Sequence, residues 1–197
     1  MCAMLFNDKY RIPPARLTPW DYSSPGQYFV TLCTKDRACV FGSVQEDGVF
    51  LSTAGKIVAE EWERTAVLRG NVTLDEWRIM PNHLHGIIII CRDVSMGRLE
   101  SRIGGDAPAG RLGTRTFQRN VPASRLQASS LGSIIGQSKG ASTRRIRASG
   151  LRNFAWQARF YDHVIRDPGS LEKIRAYIRH NPLMWDSEKD DPENIRL

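Results

Sequence analysis

The stretch His83-Leu84-His85-Gly86-Ile87-Ile88-Ile89-Ile90 constrains the fold more than any other part of the chain. Pro81-Asn82 breaks the chain just before it. Eight residues is strand length, and far short of the ~20 apolar residues that span a membrane. Four consecutive β-branched residues leave no polar side, so this strand must be buried on both faces and hold a central position in a sheet. It needs partners, and three segments offer them. Tyr28–Thr34 (YFVTLCT) is aromatic and β-branched. Val72–Met80 alternates, with Trp77 and Ile79 on one face. Phe154–Ile165 reads as a fourth strand. Two shorter runs, Ala38–Val44 and Val49–Leu51, flank the turn signal Glu46-Asp47-Gly48 and read as a hairpin.

Helical spacing fills the gaps. Ser52 or Thr53 caps a helix whose Ile57, Val58, Trp62 and Ala66 recur at the α-helical period, with Gly70-Asn71 at its end. Leu131–Ile146 forms a second helix despite Gly132, Gly136 and Gly140. Asp167-Pro168-Gly169-Ser170 starts a third, with Leu171, Ile174 and Ile178 as its core stripe, and Asn181-Pro182 stops it. The order strand, helix, strand, strand, helix, strand, helix contains the split β-α-β pattern of a ferredoxin-like sandwich. The expected class is α+β, an antiparallel sheet with helices on one face. Residues 1–26 read as a Pro-rich N-terminal arm and 27–185 as a single domain. Residues 92–130 read as a Gly/Arg/Ser-rich basic insertion, and 186–197 as an acidic C-terminal tail.

A hydrophobic content of 41% supports a real core. Cys2, Cys33, Cys39 and Cys91 contain no CxxC pair, which points to free thiols in a reducing cytoplasm. The segment MCAMLFNDKYR lacks the basic-then-apolar order of a secretory leader. The expectation is a cytoplasmic protein without a membrane partner. Net charge is +7, but it is unevenly spread. Between Asp106 and Asp162 no acidic residue occurs, while Arg111, Arg115, Arg119, Arg125, Lys139, Arg144, Arg145, Arg147, Arg152 and Arg159 do. Such a block attracts a polyanion through counterion release; the bland alternative is a solvated basic face. Arg11 and Arg16, flanking Pro13-Pro14, add to the cations available for nucleic acid.

His83 and His85 carry the sharpest chemistry. In a strand, residues i and i+2 point to the same face, so two imidazoles project side by side. They supply two ligands for a divalent cation, or they form a hydrogen-bonded pair with no further role. Tyr177 and Asn181 lie one above the other on the last helix, at the edge of its apolar stripe. Tyr177 reads as core or as a functional hydroxyl, and Asn181 as a helix stop or a polar ligand. Tyr161 and His163, in the fourth strand, are a rival nucleophile and a rival site histidine.

MPNHLHG, FYDHVIRD and YIRHNP, in that order, resemble the REP-associated tyrosine transposases, which are single-tyrosine members of the His-hydrophobe-His (HUH) single-strand nucleases. WDYSSPGQYFVTLCTKDR also resembles the opening segment of that family. The resemblance covers residues 10–91 and 131–185 and leaves the insertion without a counterpart. It implies that His83 and His85 are metal ligands, that Asn181 supplies a third ligand, and that Tyr177 is the nucleophile. It implies Mg²⁺ or Mn²⁺ as cofactor and single-stranded or hairpin DNA as substrate. Relatives of the single-tyrosine type often act as dimers, so a homodimer is a further expectation.

The chemistry suits those groups. A divalent cation polarises a phosphodiester that would otherwise repel its attacker. A tyrosine hydroxyl, with an ordinary pKa near 10, needs such help to attack. Attack would give a 5′-phosphotyrosine and a free 3′-hydroxyl able to rejoin strands without ATP. The function expected is therefore a metal-dependent single-stranded DNA transposase or endonuclease. Lys139, Arg144, Arg145, Arg147, Arg152 and Arg159 are expected on the surface near the histidines, binding phosphate together with Arg11 and Arg16. A catalytically silent hairpin or single-strand binder of the same fold is the alternative. A metal hydrolase unrelated to nucleic acid is disfavoured by the acid-free basic block.

Overall fold

The structure, a computed structural model, describes residues 20–45, 48–92 and 130–185. The expectations placed on residues 1–19 of the N-terminal arm, 93–129 of the insertion and the 186–197 tail therefore lie outside the described residues, as do Cys2, Arg11, Arg16, Glu46 and Asp47.

Four strands form the main sheet: β1 (Gly26–Cys33), β4 (Val72–Met80), β5 (His83–Ile90) and β6 (Tyr161–Ile165), in the order β4-β5-β1-β6. Every neighbouring pair is antiparallel. β5 is central, as its isoleucine run requires, and Ile87, Ile88 and Ile90 are buried. β2 (Gly42–Gln45) and β3 (Gly48–Leu51) pair as a separate two-stranded sheet.

The register sorts side chains between two faces. Tyr28, Val30 and Leu32 of β1 and Leu84, Ile88 and Ile90 of β5 meet one core. Onto it pack α1 (Thr53–Val67), through Ile57, Val58 and Trp62, and α2 (Leu131–Ala148), through Ile134, Ile135 and Ile146. Ser52 caps α1 by accepting from the Gly55 N–H at 3.2 Å. Ser130 caps α2 in the same way at 3.3 Å. Gly86 lets Trp62 lie against β5: a Cβ there would sit 2.5 Å from Trp62 Cζ2.

The expected α+β antiparallel sandwich is present, but its helices are not confined to one face. α3 (Pro168–His180) crosses the opposite face, where Ile174 and Ile178 pack on Phe29, Ile87 and Ile165. The cause is legible in β5: its run of four isoleucines needs cover on both sides, and α1 and α2 supply only one. Asp167 caps α3 through the Ser170 N–H at 2.9 Å, and Pro168 occupies its first turn.

Two element boundaries also differ from expectation. The fourth strand begins at Tyr161, not Phe154. Residues 154–160 instead run past the end of β1, joined to it by a Thr34–Trp156 bridge and by Gln157 N–H donating to the Cys33 carbonyl at 2.9 Å. Asn181-Pro182 ends the α-helix without ending helical structure: Asn181–Met184 tightens into a 3-10 turn.

Candidate active site

His83 and His85 stand on the α3 face of β5, opposite Cys33 and Thr31 of β1. Their rings are 4.3 Å apart between centroids, and both residues are buried. Phe29 stacks on His85 at 5.5 Å and fixes that ring from the side. Trp185, just past the 3-10 turn, tilts over His83 at 6.2 Å.

Hydrogen bonds orient the two imidazoles. His83 Nδ1 lies 2.6 Å from Asn82 Oδ1. A carboxamide oxygen only accepts, so Nδ1 carries the ring proton and Nε2 presents a lone pair. That Nε2 is buried and has no hydrogen-bond partner. His85 Nδ1 lies 2.9 Å from Thr31 Oγ1, and its Nε2 lies 3.3 Å from the Tyr177 hydroxyl. With the tyrosine donating, His85 Nδ1–H donates in turn to Thr31.

Burial pushes the His83 pKa down to about 3; the nearby Arg37 charge acts in the same direction, and the neighbouring Asn181 amide opposes it. Burial, with His83 next to it, holds His85 well below the usual imidazole range. Both rings are therefore neutral at pH 7, the form that binds metal, and poor proton acceptors.

Helix α3 brings the remaining groups. Ile174 and Ile178 are its buried anchors, and Tyr177 flanks them against the same cluster. One turn on, Asn181 is buried beside His83. Tyr177, Asn181, His83 and His85 thus converge on one spot from two elements far apart in sequence. Among the described residues, no three His, Cys, Asp or Glu side chains gather to hold a metal. The donor set that fits one is two imidazoles and an amide, with the lone pair of His83 Nε2 as the buried atom that calls for it.

The rivals stand further off. Tyr161 shares this face but sits in register with Thr31 on β6, two strands from His85, roughly 10 Å at ~4.8 Å per strand. Its ring meets Phe29 edge-on at 6.2 Å. His163 lies opposite Phe29 on the same strand, its pKa lowered by burial and then by Arg166.

The expected cations do not gather at the histidines. α2, which carries Lys139, Arg144, Arg145 and Arg147, lies on the other face of the sheet. Arg145 is held by Glu60 and, at 2.7 Å, by Glu61. Lys139 Nζ donates to the carbonyls of Gln157 at 2.6 Å and Arg159 at 3.2 Å. Its burial lowers its pKa to about 8. Arg147 Nε donates to the Phe154 carbonyl at 3.0 Å. Arg144, Arg152 and Arg159 are exposed. Reading charge along the chain located a basic block but could not tell packing cations from surface ones.

Two site residues escape a linear reading. Asn82 looks like a strand breaker after proline, yet it fixes the His83 tautomer. Arg37 belongs to a turn in which Asp36 (φ 55°) and Arg37 (φ 52°) are both left-handed. Thr34 ties that turn to Asn82 by its N–H at 2.9 Å and its hydroxyl at 3.0 Å. Only the β1–β5 register, with Cys33 opposite His83, brings them together.

No family model matches the chain. An uncharacterized protein of Haemophilus influenzae is 33% identical over 174 residues, covering 88% of this chain and 89% of that protein. A solved structure of a REP-associated tyrosine transposase bound to a REP hairpin superposes with a TM-score of 0.52 at 19% identity, covering 85% of this chain and 73% of that one. The chain belongs to one family with the Haemophilus influenzae protein, and its fold is that of the REP-associated tyrosine transposases.

Proposed function

We propose that this chain is a metal-dependent single-stranded DNA transposase or endonuclease that cleaves and rejoins DNA through a 5′-phosphotyrosine. The observation that carries the reading is the Tyr177 hydroxyl, 3.3 Å from His85 Nε2 and one turn before Asn181, the C-cap of its helix. A nucleophile of the right kind stands where the only buried histidine pair of the described residues converges.

The chemistry divides cleanly among these residues. His83, His85 and Asn181 would hold Mg²⁺ or Mn²⁺, which when bound neutralises charge on the phosphate. The Tyr177 oxygen bonds to phosphorus and gives up its proton, the bond to the 3′ oxygen breaks, and that oxygen leaves as a hydroxyl, so the proton lost by the tyrosine balances the one gained by the leaving group. Rejoining reverses the step, because the phosphotyrosine keeps the energy of the broken bond. His85 is not the base, since an imidazole with so low a pKa accepts protons poorly. Phe29, Ile87 and Ile178 form the apolar wall against which the partly buried Tyr177 packs. The hairpin bound by the structural neighbour supports a hairpin or single strand as substrate, and a homodimer remains part of the proposal.

The test is incubation with a labelled single-stranded hairpin in Mg²⁺ or Mn²⁺, followed by a denaturing gel. A covalent protein–DNA band that chelator prevents supports the reading. DNA binding without any such band would make the chain a silent binder of the same fold.

A further inference from the structure

Arg78 is the cross-strand partner of His85: β4 and β5 pair Arg78 with His85 and Met80 with His83. Directly opposed residues on an antiparallel pair project to the same face, with Cβ atoms about 4.5–5.5 Å apart. Its neighbours Trp77 and Ile79 turn the other way, into the core under α1 and α2. The guanidinium is thus delivered to the face that holds His83, His85, Tyr177 and Asn181. Arg78 is half-buried, and its Nε is buried with no hydrogen-bond partner. No carboxylate among the described residues forms an ion pair with it, although Arg175 and Arg179 on the facing helix both have such partners.

That arrangement is costly as it stands. A buried donor without an acceptor has given up its hydration with nothing in return. On the adjacent strand, two residues before the His85 that faces Arg78, His83 Nε2 is a buried acceptor without a donor. An acceptor-seeking cation and an unshared lone pair on adjacent strands complement one kind of ligand: an anion with oxygens, at a place where a metal also fits. We propose that Arg78 is a phosphate-binding residue of this site and grips the DNA phosphodiester presented to Tyr177. The inference rests on the proposed function for the identity of the anion as DNA. A planar guanidinium suits it, because two parallel N–H donors match two phosphate oxygens.

Arg78→Met and Arg78→Lys, each also made in the Tyr177→Phe background, test this with eight-residue oligothymidylate as the probe. Expected is that Arg78→Met melts no lower than the parent without DNA, because an unpaired buried donor has been removed. It should bind the probe about tenfold more weakly, with the salt slope reduced by about one. Arg78→Lys keeps the charge and loses the fork, so its affinity should fall between the two. In ¹⁵N spectra of the parent, the Arg78 Nε–H should shift on titration with the probe. Unchanged affinity and an unmoved Nε–H resonance would overturn the inference, as would a loss of melting temperature in Arg78→Met with affinity intact. If the probe moves Arg78 but hairpin DNA never forms a covalent band with the wild type, the phosphate site stands and the strand-transfer reading fails.

Discussion

At the scale of single residues, Tyr177 and His83 have separable jobs. Tyr177→Phe removes the hydroxyl near His85 and keeps the ring edge-on to Phe29 at 6.4 Å. Expected is near-native melting and DNA affinity with no covalent band. Tyr161→Phe should leave the band largely intact. His83 makes a pH prediction with a definite sign. Its folded pKa lies near 3 and its unfolded value near 6.5. Below pH 6.5 the unfolded chain binds a proton that the folded chain refuses, so metal-free stability falls as pH drops toward 3 and is flat on this account above 6.5. The slope contributed is about 1.4 kcal/mol per pH unit. Urea midpoints in chelator at pH 7 and pH 5 should therefore differ less for His83→Gln than for wild type. The i, i+2 spacing of the histidines and the i, i+4 spacing of Tyr177 and Asn181 were legible because each follows from local periodicity. Asn82, Arg37 and Arg78 were not, because their roles depend on strand pairings that no local pattern announces.

At the scale of elements, helix α3 must be set correctly over the histidines. Its apolar anchors fix its depth, and a ladder of charges fixes its position along the sheet. Arg175 grips Asp75 with contacts of 2.7 and 3.0 Å to Oδ2. Arg179 reaches Glu76 at 3.3 Å and Glu172 at 2.7 Å. Asp75 and Glu76 occupy the irregularity in β4 between Leu74 and Trp77, where the strand bulges and its side chains are re-aimed. Partly exposed pairs of this kind are worth about 0–1 kcal/mol, so Asp75→Asn should hardly move the melting temperature. A misplaced tyrosine costs more in rate than in stability. Single-turnover cleavage by Asp75→Asn should fall about tenfold or more at saturating DNA, and exchanging the charges at 75 and 175 should restore part of it. An unchanged rate would show that the apolar anchors alone place the helix. On the other face, Gly86→Ala forces a Cβ to 2.5 Å from the buried Trp62 ring and 3.2 Å from Trp77 Cβ. A loss of about 1–3 kcal/mol in urea unfolding is expected. The elements themselves were legible through caps and periodicity. The start of the fourth strand was not, because Phe154 and Trp156 look like strand residues but serve to cover Phe41, at 5.8 and 5.1 Å.

At the scale of the whole molecule, the sheet divides two tasks. One face, under α1 and α2, carries most of the core. The other, under α3, carries the histidines and Tyr177. Ferredoxin-like topology was legible from element order, whereas the side taken by α3 required the full burial of β5. Charge follows the same division. The cleft of about 310 Å³ between α1 and α2 is lined by Arg64, Arg69, Arg144 and Arg145 but also by Glu61, on the face away from Tyr177. Arg145→Ala should lower stability by stripping a partner from buried Glu61 and leave the salt slope of DNA binding unchanged. Replacing exposed Arg144 and Arg152 should flatten that slope if the basic block contacts phosphate. Among the described residues no helix is long and apolar enough to cross a membrane. The central claim concerns which of the five tyrosines in the chain takes up DNA. Trypsin separates the two on the face that holds the histidines: Tyr177 falls in Ala176–Arg179 and Tyr161 in Phe160–Arg166. Mass spectrometry of the digested covalent complex, trimmed by nuclease, should find the nucleotide on Ala176–Arg179. A nucleotide on Phe160–Arg166 would contradict the account and move the chemistry from the helix to β6.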